Sequence, residues 1–311
     1  MFASCAITGS NSRVFGAILD ESPLFFCHLG DFHYENVNST KVSSHLRAYD
    51  EVLQSPRQSS LYRHIPIARI WDDHDFCGND SDSAKKGRNA ATEAFRKYIP
   101  HYPLSNSGTD GIYQAFTVGR VRFLISDLRS QRSKRDEVDN ASKTMLGPAQ
   151  KDWLKAEISA ARKYDLVVWA NSVPWIDDPS PDEDSWAGYH TERVELANFI
   201  KQTQAGNLCM ISGDAHMLAI DSGRNSGFAD GRKGGFPVFH AGALKSPPGE
   251  KGGPYSEGAA KGDRQYGVFE VKYINGRLNV FWTGKKYDVS KKQSIVKLAY
   301  QFQSPGTYPN F

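Results

Sequence analysis

The 311-residue sequence has few cysteines and no long apolar segment. It contains four cysteines, Cys5, Cys27, Cys77 and Cys209, none of them in a Cys-x-x-Cys pair. A disulfide-stabilised scaffold is therefore not expected at this chain length, and Cys27 and Cys209, which lie inside apolar runs, are interpreted as small core residues. No stretch reaches the roughly 20 apolar residues of a transmembrane helix.

The sequence also lacks a strong charge bias. Its formal net charge is +3, and its basic residues are scattered along the chain. This charge is too small to indicate a nucleic-acid or membrane partner. The first residues show no basic segment followed by an apolar one, so no signal peptide is predicted and the compartment stays undetermined. No internal repeat or linker divides the chain, which predicts a single domain over residues 1–311.

Continuous apolar runs indicate the fold class. Residues 24–31 have no apolar–polar alternation, which is typical of a strand buried on both faces of a parallel sheet. Strands alternate with helices in the first two thirds, and hairpins follow in the middle and at the end, so we predict an α/β fold with two facing mixed sheets and outer helices. The predicted strands are 2–8, 24–31, 67–71, 113–118, 121–126, 166–170, 208–212, 236–240, 265–273 and 278–283. The predicted helices are 40–54, 84–99, 147–163 and 191–204.

Potential metal ligands follow five of the apolar runs. They are Cys5, Asp31, Asp73 with His74, Asn171, and Asp214 with His216. Each alone is equally typical of a turn or a helix cap. However, strand ends that share one sheet edge would crowd these carboxylates together, and buried charges are costly unless they are paired or bound to metal. The pattern therefore predicts a metal site.

The ligand types are mostly oxygen donors, with one thiol and one or two imidazoles. This mixture favours two metal positions, one harder and one softer. Two cations ~3.5–4 Å apart suit the hydrolysis of phosphate esters, because they activate a water and hold the attacking and leaving oxygens. Arg129 has two interpretations at this stage: it clamps phosphoryl oxygens, or it pairs with a neighbouring carboxylate.

Several motifs together resemble those of the PhoD-like alkaline phosphatases and phosphodiesterases, which belong to the calcineurin-like metallophosphoesterase superfamily. The motifs are Phe-Ala-Ser-Cys at 2–5, Gly-Asp-x-x-Tyr at 30–34, Trp-Asp-Asp-His-Asp at 71–75 with Asn79, Asp-x-Arg at 127–129, Gly-Pro-Ala-Gln at 147–150 and Ser-Gly-Asp-x-His at 212–216. The resemblance spans roughly residues 2–245. It implies a four-layer α/β/β/α sandwich that hydrolyses phosphomonoesters or diesters with Fe3+ and Ca2+. Mg, Mn and Zn are possible alternative metals.

The resemblance also implies roles for single residues. The softer metal would be surrounded by Cys5, Asp31, Tyr34 and His216, with Asp31 bridging to the second metal. The candidate ligands of the second metal are Asp73, Asn79 and Asp214, and the sequence does not rank Asp73 against Asn79. The catalytic residues would be His74, which assists the leaving group, and Arg129, which helps to stabilise the charge on the phosphoryl group. Arg129 and Asn171 would bind the substrate.

Some features stay open in the sequence. Small phosphate esters are the expected substrates, with a phospholipase-type phosphodiesterase, or a catalytically silent metal- or phosphate-binding module, as alternatives. Family members commonly carry an export leader and an N-terminal β-sandwich domain, neither of which is seen here, so only the resemblance suggests an extracytoplasmic location. The acidic loop 177–186 and the Gly-rich loop 245–263 are not explained by the motifs, and either could shape substrate access.

Overall fold

The computed structural model describes residues 1–106, 108, 110–231 and 234–305. The strands are Phe2–Ala3 (β1), Phe26–Leu29 (β2), Ile67–Ile70 (β3), Gln114–Val118 (β4), Val121–Ile125 (β5), Leu166–Ala170 (β6), Leu208–Ser212 (β7), Met217–Asp221 (β8), Val238–Ala241 (β9), Ala259–Lys261 (β10), Gln265–Ile274 (β11), Arg277–Asp288 (β12) and Gln293–Ser304 (β13). The α-helices are Val14–Asp20 (α1), Val42–Gln54 (α2), Gln58–His64 (α3), Asp73–Phe76 (α4), Arg88–Tyr98 (α5), Pro148–Ser159 (α6) and His190–Thr203 (α7), and Ala161–Lys163 and Trp186–Tyr189 form 3-10 turns.

The strands form two mixed sheets. The first has the order β13-β12-β11-β1-β2-β3, and the second has the order β10-β8-β9-β7-β6-β5-β4. Strands β1, β2 and β3 are parallel to one another, as are β5, β6, β7 and β9. The carboxyl ends of each parallel set therefore lie along one edge of their sheet, where ligand sites of α/β folds are found.

Alternating side chains divide the apolar interior into layers. In β6, Val168 and Ala170 join the core between the sheets, whereas Val167 and Trp169 pack on the opposite face with α6 and α7. In β2, Phe26 packs outward with residues of α1 and α3. Successive strand residues point to opposite faces, so both faces of these strands are apolar and are covered. The predicted four-layer α/β/β/α sandwich with mixed sheets is confirmed.

Several predicted boundaries were wrong. The first strand was predicted over 2–8, but only Phe2–Ala3 is a strand, followed by an isolated bridge at Ala6, because the backbone of Cys5 turns into a left-handed conformation. Helices α1, α3 and α4 and strands β8, β10 and β13 were not predicted.

Both sheets contribute to one core, but the single domain over residues 1–311 stays a prediction. All four cysteines are free and buried. Across the described parts of the chain, none of the helices has the length and apolar character needed to cross a bilayer.

Candidate metal centre

Five of the residues predicted at the strand ends converge on one site, and they are Cys5, Asp31, Asp73, His74 and His216. The thiol of Cys5, a carboxylate oxygen of Asp31 and a ring nitrogen of His216 lie within 4.8 Å of one another. A second group with the same spacing consists of Asp31, Asp73 and His74. Asp31 belongs to both groups, as expected for a ligand shared by two cations.

Tyr34 completes the first of these groups. Its hydroxyl donates to Asp31 Oδ2 at 2.8 Å and lies 3.2 Å from His216 Nε2. The other carboxylate oxygen of Asp31, Oδ1, is buried without a hydrogen-bond partner among the described residues. Burial, and then the nearby Asp214, raises the pKa of the Cys5 thiol to about 12. Binding a cation here would therefore release a proton from the thiol.

Four of the predicted ligands have left-handed backbones. The φ angles are 62° at Cys5, 55° at Asp31, 68° at Asp214 and 44° at His216. This conformation is unfavourable for residues with a Cβ atom and persists where surrounding contacts enforce it, commonly at functional sites.

The Asp75 carboxylate holds two ligand-bearing loops together. Its Oδ1 accepts the backbone N–H groups of Asp31 at 3.2 Å and Asp72 at 2.7 Å, and its Oδ2 pairs with buried Arg69 at 2.9 Å. Gly30 permits this close approach, because a Cβ atom at its position would lie 2.5 Å from Asp72 Cβ. The glycine before Asp31 is thus required by packing as well as by its φ of 100°.

The candidates for the second metal differ in burial. Asp73 is buried, and its two carboxylate oxygens accept the N–H groups of His74 at 2.7 Å and Asp80 at 2.8 Å. Carboxylate oxygens of Asp73, Asp80 and Asp184 also lie within 4.8 Å of one another. Asn79 is exposed. This difference favours Asp73 as the ligand, although the roles of both residues stay predictions.

His74 lies within the second ligand group, and Asn171 directly precedes Ser172, whose hydroxyl donates to Asp72 at 2.8 Å. His74 Nδ1 is 2.7 Å from Asn36 Oδ1, and its ring centroid is 4.3 Å from that of Tyr34. Asn171 is buried, with both atoms of its side-chain amide unpartnered among the described residues. An amide of this kind is costly to bury unless a ligand or water meets it, which fits a substrate contact.

The structure supports the second of the two interpretations of Arg129, in which it pairs with neighbouring carboxylates. Its side chain is 0% exposed, and its Nε donates to Asp72 at 2.6 Å. Its two terminal nitrogens donate to the two oxygens of Asp184 at 3.0 and 2.7 Å. Arg129 therefore pairs with carboxylates, and its contact with a phosphoryl group stays a prediction.

Asp214 carries a partner that sequence reasoning missed. Lys251, from the Gly-rich loop, places its ammonium 2.9 Å from both carboxylate oxygens of Asp214. Asp184, from the acidic loop, was missed in the same way. Both loops were noted for their composition, but neither has a spacing that connects it to the strand ends.

His240 orients the turn that carries Asp214 and His216. Its Nε2 accepts the backbone N–H of Ala215 at 3.1 Å, and its Nδ1 lies 2.9 Å from the hydroxyl of Ser212. Burial lowers the pKa of His240 to about 3, so the ring is neutral and donates from Nδ1. The turn is thus fixed before any ligand binds.

The side chains present fit divalent metal cations. The unpartnered Oδ1 of Asp31 and the excess of buried carboxylates would be compensated by cations. A thiol, a phenol and an imidazole on one side and carboxylates on the other match a softer and a harder position.

Comparisons with known proteins agree with this geometry. Alkaline phosphatase D of Bacillus subtilis (strain 168) is 27% identical over an alignment of 236 positions, and the match covers 61% of this chain and 40% of that protein. The chain therefore spans about two fifths of the length of this curated relative. A solved structure described as the structure of PhoD has 19% identity and a TM-score of 0.74, and the match covers 97% of this chain and 69% of that one.

A second solved structure, a purple acid phosphatase from yellow lupin (Lupinus luteus) seeds, has 13% identity and a TM-score of 0.58 and matches 94% of this chain and 48% of its own. These structural likenesses show the shared fold. The model of the family described as PhoD-like phosphatase matches residues 1–267, which include every predicted site residue. The chain therefore belongs to the PhoD-like phosphatase family, as its motifs predicted.

Proposed function

We propose that this chain is a metal-dependent phosphoesterase that hydrolyses small phosphate monoesters or diesters. The observation that carries the proposal is the sharing of Asp31 between two adjacent groups of potential ligands. Family membership and the name of the Bacillus relative, alkaline phosphatase D, support the same activity. An extracytoplasmic location stays a prediction.

We assign the two positions to different metals. Cys5, Tyr34 and His216, together with Asp31, would hold Fe3+, because a thiolate, a phenolate and a carboxylate together balance the charge of a trivalent cation. Asp31 and Asp73, which lie together in the second group, offer oxygen ligands that suit Ca2+, with Mg, Mn or Zn as alternatives. Asp214, which is in neither group, stays a ligand predicted from the sequence alone. When bound, the two metals would lower the pKa of a coordinated water and balance charge on the phosphoryl group.

Two of the remaining residues act on the substrate itself, and Arg129 acts through its carboxylate partners. The buried amide of Asn171 donates to a phosphoryl oxygen, which satisfies the unpartnered nitrogen. His74 is partly exposed and hydrogen-bonds to Asn36 through Nδ1, so its Nε2 is the atom assigned to protonate the leaving oxygen. Arg129 keeps Asp72 and Asp184 in place beside the ligands.

Turnover of p-nitrophenyl phosphate by metal-replete protein tests the proposal. Asp31→Asn keeps the side-chain size and removes the shared charge, so it should abolish turnover. Elemental analysis of protein purified without added metals identifies the bound ions. Binding of metal and phosphate without turnover of mono- or diesters would instead support a catalytically silent module. Turnover confined to phospholipids would support the phospholipase-type alternative.

A further inference from the structure

Residues 244–258, here called the strap, run across the candidate metal centre. The backbone N–H of Lys245 donates to the carbonyl of Cys5 at 3.0 Å, and that of Gly249 donates to the carbonyl of His216 at 3.2 Å. The strap is therefore attached to two segments that carry predicted ligands. These contacts fix where its next side chains lie.

Lys251 is the strap residue that enters the site. Its ammonium donates to Oδ1 and Oδ2 of Asp214, each at 2.9 Å, so two of its three N–H donors face one carboxylate. Its side chain is 44% exposed, whereas that of Arg129 is 0% exposed. Lys251 can therefore change its partner by rotating a flexible four-carbon stem, and Arg129 is held between carboxylates.

The balance of charge around Asp214 indicates when Lys251 would exchange its partner. With no cation bound, the ammonium neutralises Asp214. A cation that takes the Asp214 carboxylate leaves the ammonium without its partner, beside a site that must receive an anionic phosphoryl group. An ammonium binds phosphate as a point charge, which makes it a suitable second partner.

We propose that Lys251 is an exchangeable cation that holds Asp214 in the metal-free protein and contacts the phosphoryl oxygens of the substrate in the loaded protein. The second step rests on the proposed function. A phosphomonoester dianion carries one more negative charge than a diester, so Lys251 would favour monoesters.

The test measures two affinities by titration calorimetry in wild type and Lys251→Met. Mn2+ is titrated into metal-free protein, and inorganic phosphate is titrated into Mn2+-loaded protein. Loss of the competing ammonium should raise the Mn2+ affinity about fivefold, because Mn2+ then no longer has to displace a partly exposed ion pair, and such pairs contribute about this factor. Loss of the contact should lower the phosphate affinity about tenfold or more. Lys251→Arg should retain most of the phosphate affinity.

Lys261→Met is the matched control. Lys261 is the last residue of β10, which follows the strap, is 58% exposed, and its ammonium is 3.7 Å from Glu250. Both affinities should stay at their wild-type values in this variant.

In Lys251→Met the Mn2+ affinity should rise and the phosphate affinity should fall. These opposite changes distinguish a lysine that exchanges partners from one with a structural role only. If both affinities fell in Lys251→Met, the lysine would only anchor the strap, and the proposal would be overturned. An unchanged phosphate affinity would overturn the substrate contact. Neither titration uses turnover, so failure of the phosphoesterase assignment would be seen separately, as absence of hydrolysis. In active protein, Lys251→Met should raise KM more for p-nitrophenyl phosphate than for bis-p-nitrophenyl phosphate.

Discussion

Asp184→Asn should destabilise the folded protein, because Asp184 is the common partner of two buried arginines. Its side chain is 9% exposed and lies 2.7 Å from Arg129 and 2.8 Å from Arg132, whose side chains are 0% and 1% exposed. The substitution keeps the shape of the side chain but removes its charge, so both guanidinium groups lose a compensating partner. Breaking a buried ion pair on one side costs about 3–5 kcal/mol. Total stabilities of about 5–15 kcal/mol make this a large loss.

Urea unfolding of chelator-treated protein measures the effect. The midpoint of Asp184→Asn should fall while the slope with urea stays constant. Asp182→Asn is the matched control, since Asp182 is an exposed residue of the same loop and should change the free energy of unfolding by less than about 0.5 kcal/mol. Equal midpoints for wild type and Asp184→Asn would refute the assignment of stability to this network.

The same network predicts a pH dependence. Burial raises the pKa of Asp184, but Arg129 and Arg132 more than offset this and lower it from 3.8 to about 2. Because the folded-state pKa is the lower one, the stabilisation is present above pH 3.8 and is lost as the pH falls through about 2. The difference between the two pKa values corresponds to about 2 kcal/mol. The gap in stability between wild type and Asp184→Asn should therefore narrow over this range.

Three further predictions concern the metals and the leaving group. If Cys5 and Tyr34 bind Fe3+, the protein should be coloured. Tyr34→Phe should then shift or remove the absorption band, and Cys5→Ser should retain less iron. A colourless, iron-free protein with full activity on Ca2+ or Mg2+ would contradict this assignment. Elemental analysis should show that Asp31→Asn loses both metals together, whereas Asp73→Ala mainly loses one, and full occupancy in Asp31→Asn would mean that the carboxylate is not shared. His74→Ala should slow hydrolysis of alkyl phosphates by ~10²–10⁴-fold and of p-nitrophenyl esters much less, and parallel plots of rate against leaving-group pKa would exclude the acid role.

The strand-end part of the site was predictable from sequence. Parallel strands place their carboxyl ends along one edge, so an apolar run followed by a ligand type gives an approximate position. The bounds of β6 and β7 agree residue for residue with the prediction, and Asn171 and Asp214 follow them closely. Each of these strands is a run of five residues that are all buried, and such a run has a strong hydrophobic signal, which explains this agreement.

The loop-borne part was not predictable. Lys251 and Asp184 belong to irregular segments whose course is set by tertiary contacts, such as the hydrogen bond from Gly249 to His216. No periodicity connects these residues to their partners. The preference for Asp73 over Asn79 depends on which side chain is buried in the folded protein. The sequence around the two residues does not show this difference in burial.

The left-handed backbones at four predicted ligands lower the stability of the folded protein at positions that its function needs. These residues are Cys5, Asp31, Asp214 and His216. Glycine adopts this conformation without the Cβ penalty, which for other residues is of order 1 kcal/mol or more. A screen of variants for thermal stability alone should therefore enrich glycine at these four positions, each time removing a predicted ligand. Selection of this chain for stability alone therefore works against its predicted metal ligands, so any engineering of it has to select for metal retention at the same step.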